Sequence, residues 1–331
     1  MEVAWRARNM QAQAPASPVK FQVAPPLLRT PVAGMDPAKP TSVSAAPPLK
    51  AQARAVVSCR KRRAPIPVII HADDFGETVE ITEGICRAIT AGVVTSTSVM
   101  VNMPGTLEAL RRVPQLAQQA SFGVHLNLCE GRPLTPSASL TDADGGFLRK
   151  RVLAARALAG RLSLAELESE VTAQISLLRD AGVRISHLDG HKHLHQLPIV
   201  CTAVANVLPK FGIERVRITR LGSWRGVRGP STLAREIAAR HAAGIFARAR
   251  LRSPVRTVDL RELLAGMGFE RLAGPRLPVP IEVCCHPGTI AADEDKPGSH
   301  QRSHELEYLL TPGFRSVLAG AGVALVSYWR V

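Results

Sequence analysis

The sequence of 331 residues has no long apolar segment, few aromatic residues and only six cysteines. It does not begin with the stretch of roughly 7–15 apolar residues that a secretory signal needs. The apolar run at 317–329 contains glycines and is too short to span a bilayer. The cysteines show no CxxC spacing, and Cys284 and Cys285 should point to opposite sides of a strand as buried thiols. These absences predict a cytoplasmic protein with reduced cysteines.

Residues 1–63 differ from the rest in composition and charge. They contain eleven Lys or Arg against two acids, so that +9 of the chain's net charge of +15 lies there. This Pro- and Ala-rich segment cannot bury enough apolar surface to offset the entropy of ordering it, which predicts a disordered tail. The basic run at 60–63 would suit nucleic acid or an anionic surface. Phe21 is the only aromatic residue between Arg8 and Arg63, so no stacking platform exists and nucleic acid is not expected as a partner.

From residue 65, short β-branched runs alternate with amphipathic stretches. Strands are predicted at 67–72, 93–101, 121–128, 185–188, 215–218, 280–285 and 323–328. Helices are predicted at 79–91, 107–119, 163–180, 199–211 and 303–310, with Gly92 ending the first and a capping box at 163–166 beginning the third. The alternation predicts an α/β domain whose parallel sheet closes into a barrel. The Arg- and Ala-rich stretch 222–276 departs from it and is interpreted as a helical excursion on the rim.

Polar residues with catalytic chemistry follow the predicted strands. Asp73 and Asp74 follow the first buried strand, where α/β enzymes place functional groups. Two adjacent carboxylates can serve as a cation ligand and a proton acceptor, although an aspartate there could equally cap a helix. His125 lies in another apolar strand, either as a ligand or as a hydrogen-bonded core histidine.

The densest signal is a histidine-rich tract. Four of the ten histidines fall within nine residues, at His187, His191, His193 and His195. Such a tract beside a strand end indicates a metal site, the alternative being a polar loop. His286 stands at the tip of a further strand, again where a catalytic group would lie.

One carboxylate and two imidazoles from separate strand ends would form a 2-His-1-carboxylate ligand set with positions left for water and a substrate oxygen. Five blocks, HADDFG at 71–76, VTSTSVMVN at 94–102, GVHLNL at 123–128, HLDGHKHLH at 187–195 and CCHPG at 284–288, resemble the successive motifs of the YdjC-like carbohydrate deacetylases. The resemblance extends over residues 66–331. It implies an irregular (β/α) barrel, polysaccharide-deacetylase-like, as one domain at 64–331.

The resemblance also implies an activity and residue roles. The reaction would be metal-dependent hydrolysis of the N-acetyl group of an amino sugar, which releases acetate. Asp74, His125 and His191 would be the metal ligands, Asp73 the general base, and His286 the acid that protonates the departing amine. Two arginines at the strand end near 216–220, Arg217 and Arg220, would orient Asp73 or bind sugar hydroxyls, unless they form a surface salt bridge.

The expected cofactor is one divalent cation, Mg²⁺ by the resemblance, with Zn²⁺ as the alternative. The expected partner is an N-acetylated sugar, an oligosaccharide or a glycolipid headgroup, and a homodimer stays open. The rival functions are another metal-dependent amidohydrolase or a phosphoesterase on the same barrel, and binding of nucleic acid or an anionic surface by the tail. A second metal held by His193 and His195 would favour the rival metal hydrolases, the amidohydrolase or the phosphoesterase.

Overall fold

The computed structural model describes residues 65–219, 230–254, 256–264, 269, 280–289 and 299–331. The predicted disordered tail at 1–63 and the predicted site residue Arg220 lie outside these ranges. In the described ranges, every helix is too short or too polar to cross a membrane.

A parallel sheet of seven strands forms the centre of the fold, as predicted. The strands are β1 (Ile66–Phe75), β2 (Ser96–Val99), β3 (Ser121–Leu126), β4 (Ile185–Gly190), β5 (Arg256–Asp259), β6 (Ile281–Cys285) and β7 (Val323–Leu325). Their order is β4-β3-β2-β1-β6-β5, and β7 pairs with the beginning of β1. All these pairings are parallel. The α/β prediction is therefore confirmed.

The sheet curls into a partial barrel. Beyond β4, Leu188 forms a parallel bridge with Val216, and Arg215 forms another with Arg252, a few residues before β5. The predicted strand at 215–218 is thus reduced to isolated bridges. The predicted rim excursion at 222–276 is wrong in one respect, because it supplies β5. The β-branched pair Thr257 and Val258 is buried between the flanking elements, which favours a strand over a helix there.

Nine described helices accompany the strands. They are α1 (Val79–Thr90), α2 (Thr106–Leu116), α3 (Lys150–Leu158), α4 (Leu164–Asp180), α5 (Pro198–Val207), α6 (Pro230–Arg248), α7 (Leu260–Leu264), α8 (Ser299–Leu310) and α9 (Pro312–Gly320). The side chain of Thr78 caps α1 by accepting a hydrogen bond from the Ile81 backbone. Gly92, in the left-handed region at φ 70°, follows the end of α1 as predicted.

The capping box predicted for α4 forms only in half. The Ser163 hydroxyl accepts from the Glu166 backbone N–H at 3.3 Å. The Glu166 carboxylate turns instead to Ser139, where it accepts from the backbone N–H at 2.8 Å and from the hydroxyl at 2.7 Å. The helix begins where predicted. The Glu166 side chain, however, binds both donors of Ser139 and so holds that loop, instead of closing the capping box.

Strand β1 separates two kinds of interior. Val68 and Ile70 belong to the main apolar core, whereas Ile69 packs with Tyr328 and Val331 in a second small cluster. Because side chains alternate along a strand, the next residues on the Ile69 face are His71 and Asp73. That face is lined by fully or almost fully buried polar side chains from other elements, namely Ser98, His187, Asp189, Arg217 and Glu282.

Candidate metal and catalytic site

Asp74, His125 and His191 converge at one edge of the sheet. Asp74 Oδ1 lies 3.1 Å from His125 Nε2 and 2.9 Å from His191 Nδ1. The three ligand atoms all lie within 4.8 Å of one another. Ligand bonds of about 2.0–2.2 Å would place neighbouring ligand atoms about 3.0–3.4 Å apart. The three residues therefore fit a single divalent cation.

The backbone at the end of β1 explains how two adjacent aspartates reach different surroundings. Both lie within β1, not after it, and the helix cap is Thr78, so the alternative of an Asp cap is wrong. Asp74 adopts a left-handed φ of 71°, and the register between β1 and β2 shifts between Ala72 and Phe75. Non-glycine residues in this region are uncommon and cluster at functional sites. The turn directs Asp73 inward and Asp74 towards the two imidazoles.

Each of the three candidate ligands has an outer partner. His125 Nδ1 lies 2.8 Å from Asp189 Oδ1, which assigns the proton to Nδ1 and leaves Nε2 for a cation. His191 Nε2 lies 3.3 Å from Glu130 Oε1, an ion-pair distance without hydrogen-bond geometry. Asp74 Oδ2 accepts a hydrogen bond of 2.6 Å from Arg302. Carboxylates in the positions of Asp189 and Glu130 orient metal-binding histidines and raise their basicity.

The charges of this group depend on one another. Burial opposes ionisation of Asp74, but hydrogen bonds from His125 and His191 outweigh it and hold the Asp74 pKa well below its usual value. Burial also opposes protonation of His125, yet Asp189 and Asp74 raise the His125 pKa well above the usual value. The pKa of His191 is raised for the same reason, by Asp74 and Glu130 against burial. The carboxylates of the cluster therefore favour the protonated, positively charged form of both imidazoles.

Asp73 occupies a different environment, inside the barrel. Both of its oxygens accept hydrogen bonds from Arg217, at 2.8 and 2.9 Å. The Cys284 thiol lies 3.3 Å from Asp73 Oδ1. Burial tends to raise the Asp73 pKa, but the Arg217 guanidinium prevails and places it far below the usual range. Asp73 is thus a fixed, ionised carboxylate.

Arg217 is the centre of the interior network. Its side chain is fully buried, so the alternative of a surface salt bridge is wrong. In addition to Asp73, its Nη2 lies 2.9 Å from Asp189 Oδ2 and 2.7 Å from Glu282 Oε1. The Tyr328 hydroxyl donates to Glu282 Oε2 at 3.0 Å. A planar guanidinium has five donors and can bind one carboxylate through two of them, as it does Asp73, while it contacts others; the ammonium of a lysine lacks this planar pair.

His286 lies at the tip of β6, as predicted. Its Nε2 is 3.8 Å from Asp73 Oδ2, and its side chain is 28% exposed. The backbone N–H of His286 donates to Glu305 Oε2 at 2.7 Å. The imidazole is therefore partly open to solvent while its backbone is fixed, as expected for a group that meets a substrate.

The other histidines of the tract face away from the ligand group. His195 Nε2 donates to the Arg217 carbonyl oxygen at 2.9 Å, and burial lowers the His195 pKa to about 4. His193 is held neutral in the same way, since burial lowers its pKa to about 3. Among the described residues, neither joins a group that could hold a metal. The two-metal arrangement that would favour a rival metal hydrolase is therefore not supported in the part of the chain that the structure describes.

His187 stacks on Tyr328, with ring centroids 3.6 Å apart and planes 3° apart. A side chain at Gly123 would collide with this ring, because an added Cβ would lie 2.4 Å from it. His71, His187 and Asp189 are close enough to form a second ligand group. We interpret it as hydrogen-bonded structure, since Asp189 Oδ2 already faces the Arg217 cation.

Several residues of the site were missed by sequence reasoning. Glu282 offered a signal, since an acid inside the apolar strand at 280–285 requires a buried partner. Asp189 offered another, two residues before His191 in a strand. Glu130 and Arg302 carried none, because nothing in their local sequence distinguishes them from surface charges.

The sequence is similar to those of known proteins over most of its length. The human carbohydrate deacetylase is 36% identical over 293 residues, covering 78% of this chain and 88% of that protein. The carbohydrate deacetylase of Geobacillus stearothermophilus is 28% identical over 262 residues, covering 78% of this chain and 96% of that protein.

A crystal structure of an Enterococcus faecalis protein, described as a cellobiose-phosphate cleavage protein, shares the fold. Its TM-score is 0.64 at 24% identity, and the match covers 80% of this chain and 98% of that one. The family model for YdjC-like proteins matches residues 67–320. By its sequence, the chain belongs to the YdjC-like protein family.

Proposed function

We propose that the protein is a carbohydrate deacetylase that hydrolyses the N-acetyl group of an amino sugar and releases acetate. The observation that supports this most strongly is the pairing of a three-residue ligand group with a separate, ionised carboxylate on the adjacent residue. Relatives that match most of the chain carry the name carbohydrate deacetylase. A metal-dependent hydrolase needs both a site for a cation and an independent proton acceptor.

In this proposal Asp74, His125 and His191 hold one divalent cation. When bound, the cation would polarise the acetyl carbonyl oxygen and acidify the attacking water. The family resemblance favours Mg²⁺, whereas two imidazoles among three ligands are the donor set that Zn²⁺ prefers.

Asp73 then acts as the general base. It accepts a proton from water as the water oxygen attacks the carbonyl carbon of the acetyl group. Arg217 keeps the carboxylate ionised and fixes its plane. Oδ1 accepts from both Arg217 and Cys284, whereas Oδ2 accepts only from Arg217 among the described residues and keeps a second lone pair for this proton. His286, 3.8 Å from Asp73 Oδ2, donates a proton to the amide nitrogen as the C–N bond breaks. The products are acetate and the free amino sugar.

The substrate is proposed as an N-acetylated sugar, an oligosaccharide or a glycolipid headgroup. The predicted cytoplasmic location and a homodimer also stay predictions.

The test is acetate release from N-acetylglucosamine, its oligomers and N-acetylated glycolipid headgroups. Protein stripped of metal by a chelator should be inactive. Mg²⁺ and Zn²⁺ are then added separately, and one of them should restore activity. His191→Ala should abolish activity, whereas His241→Ala, an exposed histidine on α6, should leave it unchanged. Full activity in the chelated protein, or in His191→Ala, would show that the proposed site is wrong.

A further inference from the structure

Helix α8 approaches the site from outside the sheet and carries charged residues that face it. Arg302 Nη2 lies 2.6 Å from Asp74 Oδ2 and 3.1 Å from Glu77 Oε2. Three residues later, on the same face of the helix, Glu305 holds the backbone of His286. The Arg302 carbonyl oxygen also accepts a hydrogen bond of 3.2 Å from Gly288 in the loop after β6. One helix therefore contacts a candidate ligand and the loop that bears the candidate acid.

The two oxygens of Asp74 have separate partners. Oδ1 faces His125 and His191, whereas Oδ2 faces only Arg302 among the contacts of the described residues. Rotation of the carboxylate would exchange these oxygens or present both of them to a cation. The short charge-assisted hydrogen bond from Arg302 opposes this rotation, because such bonds are about twice as strong as neutral ones.

Glu77 fixes the guanidinium in turn. Burial, and next the Asp74 charge, raise the Glu77 pKa, while Arg302 acts in the opposite direction. Arg302 is thus the cation that lets two neighbouring carboxylates remain close together. Only 19% of its side chain is exposed, and its Nη1 is buried without a hydrogen-bond partner. The guanidinium is held in place by these carboxylates and is not a freely moving surface charge.

We propose that Arg302 is a positioning residue for the cation, since it holds Asp74 Oδ2 and leaves Oδ1 alone to bind the ion. This inference rests on the proposed ligand group. Binding through one oxygen conserves a coordination position, which water and the acetyl oxygen need. A bidentate Asp74 would occupy that position, so the loss of Arg302 should change both the affinity for the ion and the number of its ligands.

The experiment uses the full chain, stripped of metal and titrated with Co²⁺ and Zn²⁺. Arg302→Gln removes the charge, and Arg302→Lys keeps the charge but not the planar pair of donors. Calorimetry should show weaker binding by about 10–100-fold, the usual effect of an outer-partner mutation, with a larger loss for Gln than for Lys. The visible spectrum of the Co²⁺ protein should change in intensity, since it reports coordination number. Arg112→Lys, which alters an arginine paired with Glu108 on α2, is the matched control and should change neither.

The outcomes separate this proposal from the proposed function. Unchanged affinity and spectrum in both Arg302 variants would overturn it, whatever happens to thermal stability. Tighter binding in Arg302→Gln would also overturn it, because Arg302 would then act only by repelling the ion. If these variants do not fold, Glu77→Gln tests the same point by releasing the guanidinium; a several-fold weaker affinity supports the proposal and no change contradicts it. A wild-type chain that binds neither ion would instead overturn the ligand group itself.

Discussion

Asp73 and Asp74 are neighbours in one strand, yet they belong to two different regions of the molecule. Asp74 lies in the ligand pocket, where its charge is balanced by two imidazoles and by Arg302 at the edge. Asp73 lies in the barrel interior, where its charge is balanced by Arg217. The histidines follow the same division. Those of the pocket, His125 and His191, have raised pKa values, whereas burial lowers the pKa of His187 and His195 in the interior.

The difference shows how one strand end can supply two chemistries. When no metal ion is bound, the charge of Asp74 must be balanced in another way. Protonation of His125 and His191 can do this, because their pKa values are raised. A general base must be unprotonated before it accepts a proton, and the Arg217 guanidinium keeps Asp73 in that state because arginine does not lose its proton in proteins. The left-handed backbone of Asp74 is the feature that separates the two regions over a single peptide.

The strongest test exchanges the two carboxylates for amides. Asp73→Asn should keep the cation, while activity falls by roughly 10²–10⁴ because the proton acceptor is lost. Asp74→Asn should weaken cation binding, because an anionic oxygen leaves the ligand group, and excess metal should restore part of the rate. Metal titrations and acetate-release rates of both variants decide this. Equal loss of metal in the two, or rescue of Asp73→Asn by metal, would break the division of roles.

A second test concerns the counter-charge of the interior. Arg217→Met should destabilise the fold by about 3–5 kcal/mol, because it leaves Asp73, Asp189 and Glu282 buried without their cation. Urea unfolding of the metal-free protein measures this. Arg215→Met is the matched control, since Arg215 lies over the Trp329 ring at 5.2 Å and should cost far less. Equal losses for the two arginines would contradict the special position of Arg217.

A third test uses pH to distinguish the histidines of the two regions. The His195 pKa is about 4 in the folded protein against an ordinary value of 6.5. Below pH 6.5 the unfolded chain therefore binds the proton first, and stability should decline as the pH falls towards 4, by about 3 kcal/mol.

Glutamine at this position retains a donor for the Arg217 carbonyl oxygen but cannot titrate. His195→Gln should therefore flatten the decline between pH 6.5 and 4, as measured by urea unfolding at a series of pH values. An unchanged slope in this variant would show that His195 is not the group responsible.

The smallest effect is expected at the far end of the interior network. Tyr328→Phe removes the hydroxyl that donates to Glu282, whose Oε2 still accepts from Thr257 at 2.9 Å. A hydrogen bond to a charged acceptor contributes about 2 kcal/mol, so stability should fall by that amount while acetate release is nearly unchanged. A loss of activity comparable with that of Asp73→Asn would mean that the Tyr328 hydroxyl affects the general base Asp73 through Glu282 and Arg217.

The parts of the fold that follow local patterns were predictable from the sequence. The β-branched run at 67–72 identified the central strand, and the order of five motif blocks placed Asp73, Asp74, His125, His191 and His286 near one sheet edge. The strand β5 was missed, because four residues between helical segments carry too little periodicity.

The outer partners were missed for another reason. Arg302 lies 228 residues from Asp74 in sequence, and a charge that acts through such a long-range contact looks like any solvated charge. The sequence analysis assigned Asp74 to the group with His125 and His191, but it did not predict the left-handed backbone of Asp74 that turns its side chain there. Arg220 and residues 1–63 lie outside the described residues, so their predicted roles stay predictions.

The central strand β1 pairs with strands from distant parts of the chain, and this affects folding during synthesis on the ribosome. It pairs with β2 about 25 residues later, but with β6 and β7 only across more than 200 residues. A ribosome adds about 5–20 residues per second, so β1 must wait on the order of ten seconds or more for one edge to be covered. During that time Asp73 lacks Glu282 and Tyr328 as members of its network. A nascent chain halted before residue 281 should therefore present an open strand edge, which is a natural target for chaperones.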